Sequence, residues 1–184
     1  VGFSGSGFGV LQTQSLGALK VDVADGFGFT ALAGDRIRVE ELSGDMNIIA
    51  VDSSNRDDVR LTADGSILKH SGALPGSFVN GGAITLTARG GSIGDLTSLA
   101  PIWLDSDRIK ATAAGDISLY QAGSDLNLNT LNSAGGNVTI VVSGGSIRDD
   151  NAFSRVDELA EAGLLEALWD ELGLRGNVYA DGSA

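Results

Sequence analysis

A phrase that recurs along a chain constrains its fold more than any residue count does, because every copy must bury its apolar face in the same way. In this chain the phrase is GGAITLTARGGSIGD, residues 81–95. Ile84, Leu86 and Ala88 alternate with Thr85, Thr87 and Arg89, and Gly90-Gly91 turn the chain before Ile93 points inward again. Apolar positions at a period of two, punctuated by glycine, predict short strands with one buried and one outward face. The phrase returns as GNVTIVVSGGSIRDD at 136–150 and more loosely as DVRLTADGSIL at 58–68.

The spacing of the copies suggests a coil length. Ser66-Ile67, Ser92-Ile93 and Ser146-Ile147 lie 26 and then 54 residues apart, one and two steps of about 27. Ile37, Val39, Asp45, Met46, Asn47, Ile48, Ser66 and Ile67 each have a like residue 80 positions later, at Ile117, Leu119, Asp125, Leu126, Asn127, Leu128, Ser146 and Ile147. Three steps of about 27 make roughly 80, so the sequence reads as coils of about 27 residues grouped in threes, a period in the solenoid range.

Composition agrees with strands and tight turns. The 184 residues include 27 glycines, two prolines and no cysteine, so neither disulfides nor thiol chemistry enter. The net charge of -12 argues against a phosphate-binding surface and against anionic membrane. No apolar run is long enough to span a bilayer, and no charged-then-apolar leader opens the chain. It begins inside a Gly-Ser-Phe run that resembles a repeat turn. The expectation is therefore a segment of a longer protein whose export signal lies elsewhere.

Along the chain, Phe8 stands where an inward isoleucine would in a variant turn, and Leu19, Val21 and Val23 alternate as a strand. FTALAGDRI at 29–37 matches IKATAAGDI at 109–117, with small inward alanines that imply a narrow cross-section. Residues 52–58, DSSNRDD, form a polar corner, and 70–80 a connection. Strands are expected near 102–104, 109–113, 117–121 and 126–131, with Trp103 and Tyr120 outward, and Val138, Ile140 and Val142 inward. Then the period breaks. In 154–173, Val156, Leu159, Ala160, Leu164, Ala167, Leu168 and Leu172 recur at helical spacing, with Ser154 as N-cap and early acids that suit a helix start. The predicted organisation is β-helix coils at 1–150, an amphipathic helical insertion at 151–175 and the start of a further coil at 176–184, where Val178 is the inward residue.

A coil of this kind cannot bury its inner face alone. Stacking in parallel, at about 4.8 Å per coil, solves that and gives an all-β solenoid of roughly six coils. The phrases LTARGGSIGD and IKATAAGDISLYQAGSDLNLNTLNSAGGNVTIVVSGGSIRDD, with the segment between them, resemble the repeat regions of filamentous-haemagglutinin-like giant secreted bacterial proteins over most of residues 29–150. The resemblance implies a right-handed parallel β-helix, export to the cell surface, and a stalk or adhesive role. The acidic helical insertion departs from the plain repeat.

The chemistry-bearing residues are weighed against structural roles. Asp45, Asp116 and Asp125 sit at Gly- and Ser-containing turns, where a short acceptor supports the backbone. Arg36, Arg38 and Glu40 are the nearest approach to a charged catalytic face, and they read better as a solvated one. His70, the sole histidine, lies in a connection. No cofactor is called for, and calcium is the one ion left open, since DSSNRDD and SIRDDN gather hard oxygens without EF-hand or nonapeptide spacing. Outward threonines at 85 and 87 do not extend into a regular array. Trp103, Tyr120 and Trp169 are the candidate interaction surface, against the plainer reading that Trp169 belongs to the helix's buried stripe.

The first expectation is a non-enzymatic structural and adhesive element at the cell surface, its partners further repeats of the same parent chain, other protein chains or surface glycans. The alternatives are a β-helix enzyme on acidic polysaccharide, with carboxylates and a base gathered in one groove, and a subunit packed laterally in an extracellular assembly through its helix.

Overall fold

The computed structural model describes residues 17–24, 26–73 and 79–150. The helical insertion, Trp169, Phe8 and the coil expected at 176–184 lie outside them. Twelve strands follow one another: β1 (Leu19–Val21), β2 (Gly28–Ala33), β3 (Ile37–Glu41), β4 (Met46–Ser53), β5 (Val59–Ala63), β6 (Ile67–Lys69), β7 (Val79–Ala88), β8 (Ile102–Ala113), β9 (Ile117–Ala122), β10 (Leu126–Ser133), β11 (Val138–Ser143) and β12 (Ile147–Asp149). Every strand pairing among them is parallel, and the one antiparallel contact among the described residues is an isolated bridge from Asp95 to Ala100. Parallel neighbours need a crossover. Here each crossover is simply the rest of a coil.

The coils have two faces. On the first, β1, β3, β5, the end of β7, the end of β8 and β10 pair in succession. On the second, β2, β4, β6 with the start of β7, the start of β8, β9 and β11 do the same. Six coils result, and β12 begins another by pairing with β10.

Inward residues stack in columns. Ile37, Val59, Ile84, Ile109 and Leu128 form one column of the first face, and Leu19, Val39, Leu61, Leu86, Ala111 and Leu131 the next. Met46, Ile67, Ile93, Ile117 and Val138 form the opening column of the second face. Except at the ends these residues are fully buried in a single core. Near the corners the columns turn small. Ala63, Ala88 and Ala113 close one side of the core, each 2% exposed or less, because two faces that meet at a corner leave no room for a long side chain.

The registers correct the expected period. Ile37, Val59, Ile84, Ile109 and Leu128 are separated by 22, 25, 25 and 19 residues, so the coils are shorter than 27 and unequal. Along the second face the extra length falls between Lys69 and Val79 and between Ile93 and Ile102. The 80-residue match is not three coils. Ile37 belongs to the first face and Ile117 to the second, so the match spans an odd number of half-coils. The two faces use the same sequence grammar, and a match between faces scores as well as one within a face. Ile147 likewise pairs with Leu126 and not with the Ile67–Ile93 column.

One expected break is absent: strands at 102–104 and 109–113 are one strand, β8. Gly81-Gly82 likewise lie inside a strand, β7. A Cβ on Gly82 would collide with the carbonyl oxygen of Arg56, and one on Gly81 would sit 2.7 Å from Cγ2 of Val59. Glycine here admits the neighbouring coil and makes no turn.

Candidate functional site

The corner that precedes the Met46–Val138 column shows how coils are fastened. The Asp45 carboxylate Oδ1 accepts from the Ser66 N–H at 2.7 Å, Ser66 Oγ from the Ser92 N–H at 3.2 Å, Ser92 Oγ from the Asp116 N–H at 2.9 Å, and Asp116 Oδ1 from the Asn137 N–H at 2.7 Å. Each acceptor belongs to one coil and each donor to the next. At the other corner Asp125 Oδ1 accepts from the Ser146 N–H at 2.8 Å. These aspartates therefore do more than support their own turns, as the sequence suggested: they bond the following coil. The missed signal was a small polar residue directly before an inward aliphatic one, as in Asp45-Met46, Ser66-Ile67, Ser92-Ile93, Asp116-Ile117 and Asn137-Val138.

Of the predicted surface aromatics, Trp103 and Tyr120 come together. Ile102, Leu104 and Leu119 point inward at 2% exposure or less, so alternation turns Trp103 and Tyr120 outward on paired strands. Their rings lie 4.8 Å apart at 32°, and Lys69 Nζ sits 5.2 Å from the Trp103 centroid. That is a cation–π contact closing one side of the indole. The dent beside it, lined by Ile49, Lys69, Ala73 and Trp103 among others, has a volume of ≈ 10 Å³, room for about one water. It is a ledge and not a pocket.

The polar corner DSSNRDD is organised by its arginine. Arg56, held at φ 57°, donates to Asn80 Oδ1 at 3.3 Å and to Asp105 and Asp107 at 3.0 Å each, while Asn80 Nδ2 donates to Asp52 at 2.6 Å. The guanidinium thus reaches past one coil to the next but one. Asp58 pairs with Arg36 at 3.8 Å, and Arg148 of SIRDDN pairs with Asp125 at 2.6 Å. Among the described residues no three carboxylate, imidazole or thiol groups gather as a metal site. His70 fixes its own loop: Nδ1 accepts from the Gly72 N–H at 2.9 Å, and Nε2, 3.2 Å from the Gly26 carbonyl, donates to it.

The first face carries charge outward in register. Arg38, Arg60, Thr85, Lys110 and Thr130 form one outward column; Lys20, Glu40, Thr62, Thr87, Thr112 and Asn132 form the next. Glu40 is the sole acid in either column. Arg89 Nη2 meets it at 2.8 Å and Lys20 at 3.9 Å, and the Arg89 hydrogen bond is the main reason its carboxyl titrates below the ordinary range. Its neighbour Glu41 faces inward, in column with Val21 and Ala63, and is 0% exposed. Oε1 accepts from the Val23 N–H at 3.0 Å, Oε2 has no partner, and burial pushes the carboxyl above its ordinary range. The inward Gln121 is by contrast fully used, accepting from the Ser106 N–H at 3.3 Å and donating to the Ser106 carbonyl at 3.0 Å and to Ser124 Oγ at 2.7 Å.

No family model, curated protein or solved structure matches this chain.

Proposed function

We propose that the chain is a structural and adhesive segment of a large secreted or surface-attached bacterial repeat protein, acting as a non-catalytic rod. The observation that carries this reading is the corner ladder. Side chains from Asp45 to Asp116 each reserve an acceptor for the backbone of the coil ahead, so the same bonding pattern continues for as many coils as the chain supplies. Such a solenoid gains stability from neighbour to neighbour and offers length and repeated surface. The likeness of its phrases to filamentous-haemagglutinin-like repeats supports the same role. Right-handed winding follows from the strong preference of parallel crossovers for that hand. Its partners are then further coils of the parent chain and, at its outer faces, other chains or glycans.

An epitope placed in the exposed loop at Leu99 and probed on intact cells tests the proposal. Labelling of projecting material on unpermeabilised cells is expected. Labelling only after permeabilisation, or release of new reducing ends from acidic polysaccharide by the purified chain, would overturn it.

A further inference from the structure

We propose that the outward side of the first face binds a carboxylated polysaccharide lying along the solenoid axis, which deepens the adhesive reading above and rests on it. The chain carries a net charge of -12, so its few cations matter by where they stand. In register they form a strip: Arg60 and Lys110 occupy one outward column with Thr85 between them, and Thr62, Thr87 and Thr112 occupy the column alongside. Arg60 and Lys110 are exposed and have no ion-pair partner among the described residues. Pairing sets neighbouring coils about 4.8 Å apart, so the two cations stand roughly 10 Å apart with hydroxyls filling the interval.

That pattern suits one kind of polymer. A chain of uronic-acid sugars presents carboxylates at the spacing of successive sugars and hydroxyls between them. Guanidinium and ammonium groups can take the former and threonine hydroxyls the latter. Nucleic acid fits less well. The two columns have no aromatic side chain on which a base could stack. A polyacidic peptide would use the cations and leave the threonines without a role.

Size-selected polygalacturonate titrated into the 184-residue chain by calorimetry is the test. Binding is expected that weakens as sodium chloride rises. The double substitution Arg60→Gln, Lys110→Gln is expected to weaken it by about tenfold, as loss of two exposed charge contacts would. The substitution Thr139→Ala, at an exposed position of the second face, should leave it unchanged. Bound glycan should also shield Lys110 from acetylation in the native chain, a readout that needs no variant. Equal affinity for neutral dextran, polyglutamate or single-stranded DNA, an unaffected double variant with native circular dichroism, or no shielding of Lys110 would overturn the proposal. Each of those results leaves the rod reading to its own cell-surface test.

Discussion

At Glu41 the solenoid tolerates what a core ordinarily excludes, a carboxyl with one oxygen unpartnered. Because burial raises its folded pKa, the folded chain holds the proton more tightly than the unfolded chain does. The stabilisation is complete below the ordinary carboxylate range and is lost as pH rises through the folded value. Glu41→Gln removes that dependence. The variant is expected to exceed the native chain in stability by about 1 kcal/mol at pH 7 and to match it near pH 4, measured by urea melts across pH. Leu99 is strained in another way. It sits at φ 54° and 83% exposed, in the loop that Asp95 pins through the Thr97 and Ser98 N–H groups. Leu99→Gly relieves the left-handed backbone and should raise stability by roughly 0.5–1 kcal/mol in the same melts.

At the scale of the element, a strand here is held by its own ladder and also by the corner before it. Asp116 shows the difference from a plain turn residue. Its carboxylate serves the Asn137 N–H one coil away, so Asp116→Ala leaves a donor at the coil boundary without its acceptor. A cost of about 1–2 kcal/mol is expected, whereas Asp64→Ala, at an exposed corner position, should change stability by less than about 0.5 kcal/mol. Equal effects in thermal denaturation would show that the ladder contributes nothing beyond local turn propensity. Continuity of β7 and β8 around their corners has a similar origin. Gly81, Gly82 and Ser106 are small enough for the adjoining coil to pass closely, and Ser106 Oγ donates to the Gly82 carbonyl at 3.2 Å. In sequence such residues look like breaks, since the same types terminate isolated strands.

For the whole molecule, the registers define what a unit is. Ile84 pairs with Ile109, so removal of 84–108 takes out one complete coil and sets Ile109 in the column left by Ile84. That deletion is expected to keep the β signal per residue in circular dichroism and a cooperative melt at a lower midpoint. Removing one residue more, 84–109, places Lys110 in the inward position and turns alternate side chains the wrong way, so it should fail to fold. If both deletions behaved alike, the column description would be wrong. At the last coil Val138, Val141 and Ile147 are about half exposed. Among the described residues β11 and β12 have no strand beyond them, and an unpaired parallel edge favours continued stacking.

What the sequence determined by itself is which aliphatic side chains face inward along most strands and that the strands share one stacked core, whereas the buried Glu41, Ser53 and Ser106 emerge only from the structure. Alternation at Ile84, Leu86 and Ala88 is a property of the backbone pleat and is legible in a few residues. It also placed Trp103 and Tyr120 outward, where they are found. Coil length, and the partner of each strand, were decided by tertiary structure. Two faces with one grammar make Ile37 resemble Ile117 as closely as it resembles its true column neighbour Val59, and the extra residues between Lys69 and Val79 and between Ile93 and Ile102 change the interval without changing the phrase. The Arg60–Lys110 strip arises in the same way, because residues 50 apart in sequence become neighbours but one only when the coils stack, at a spacing fixed by backbone hydrogen bonds.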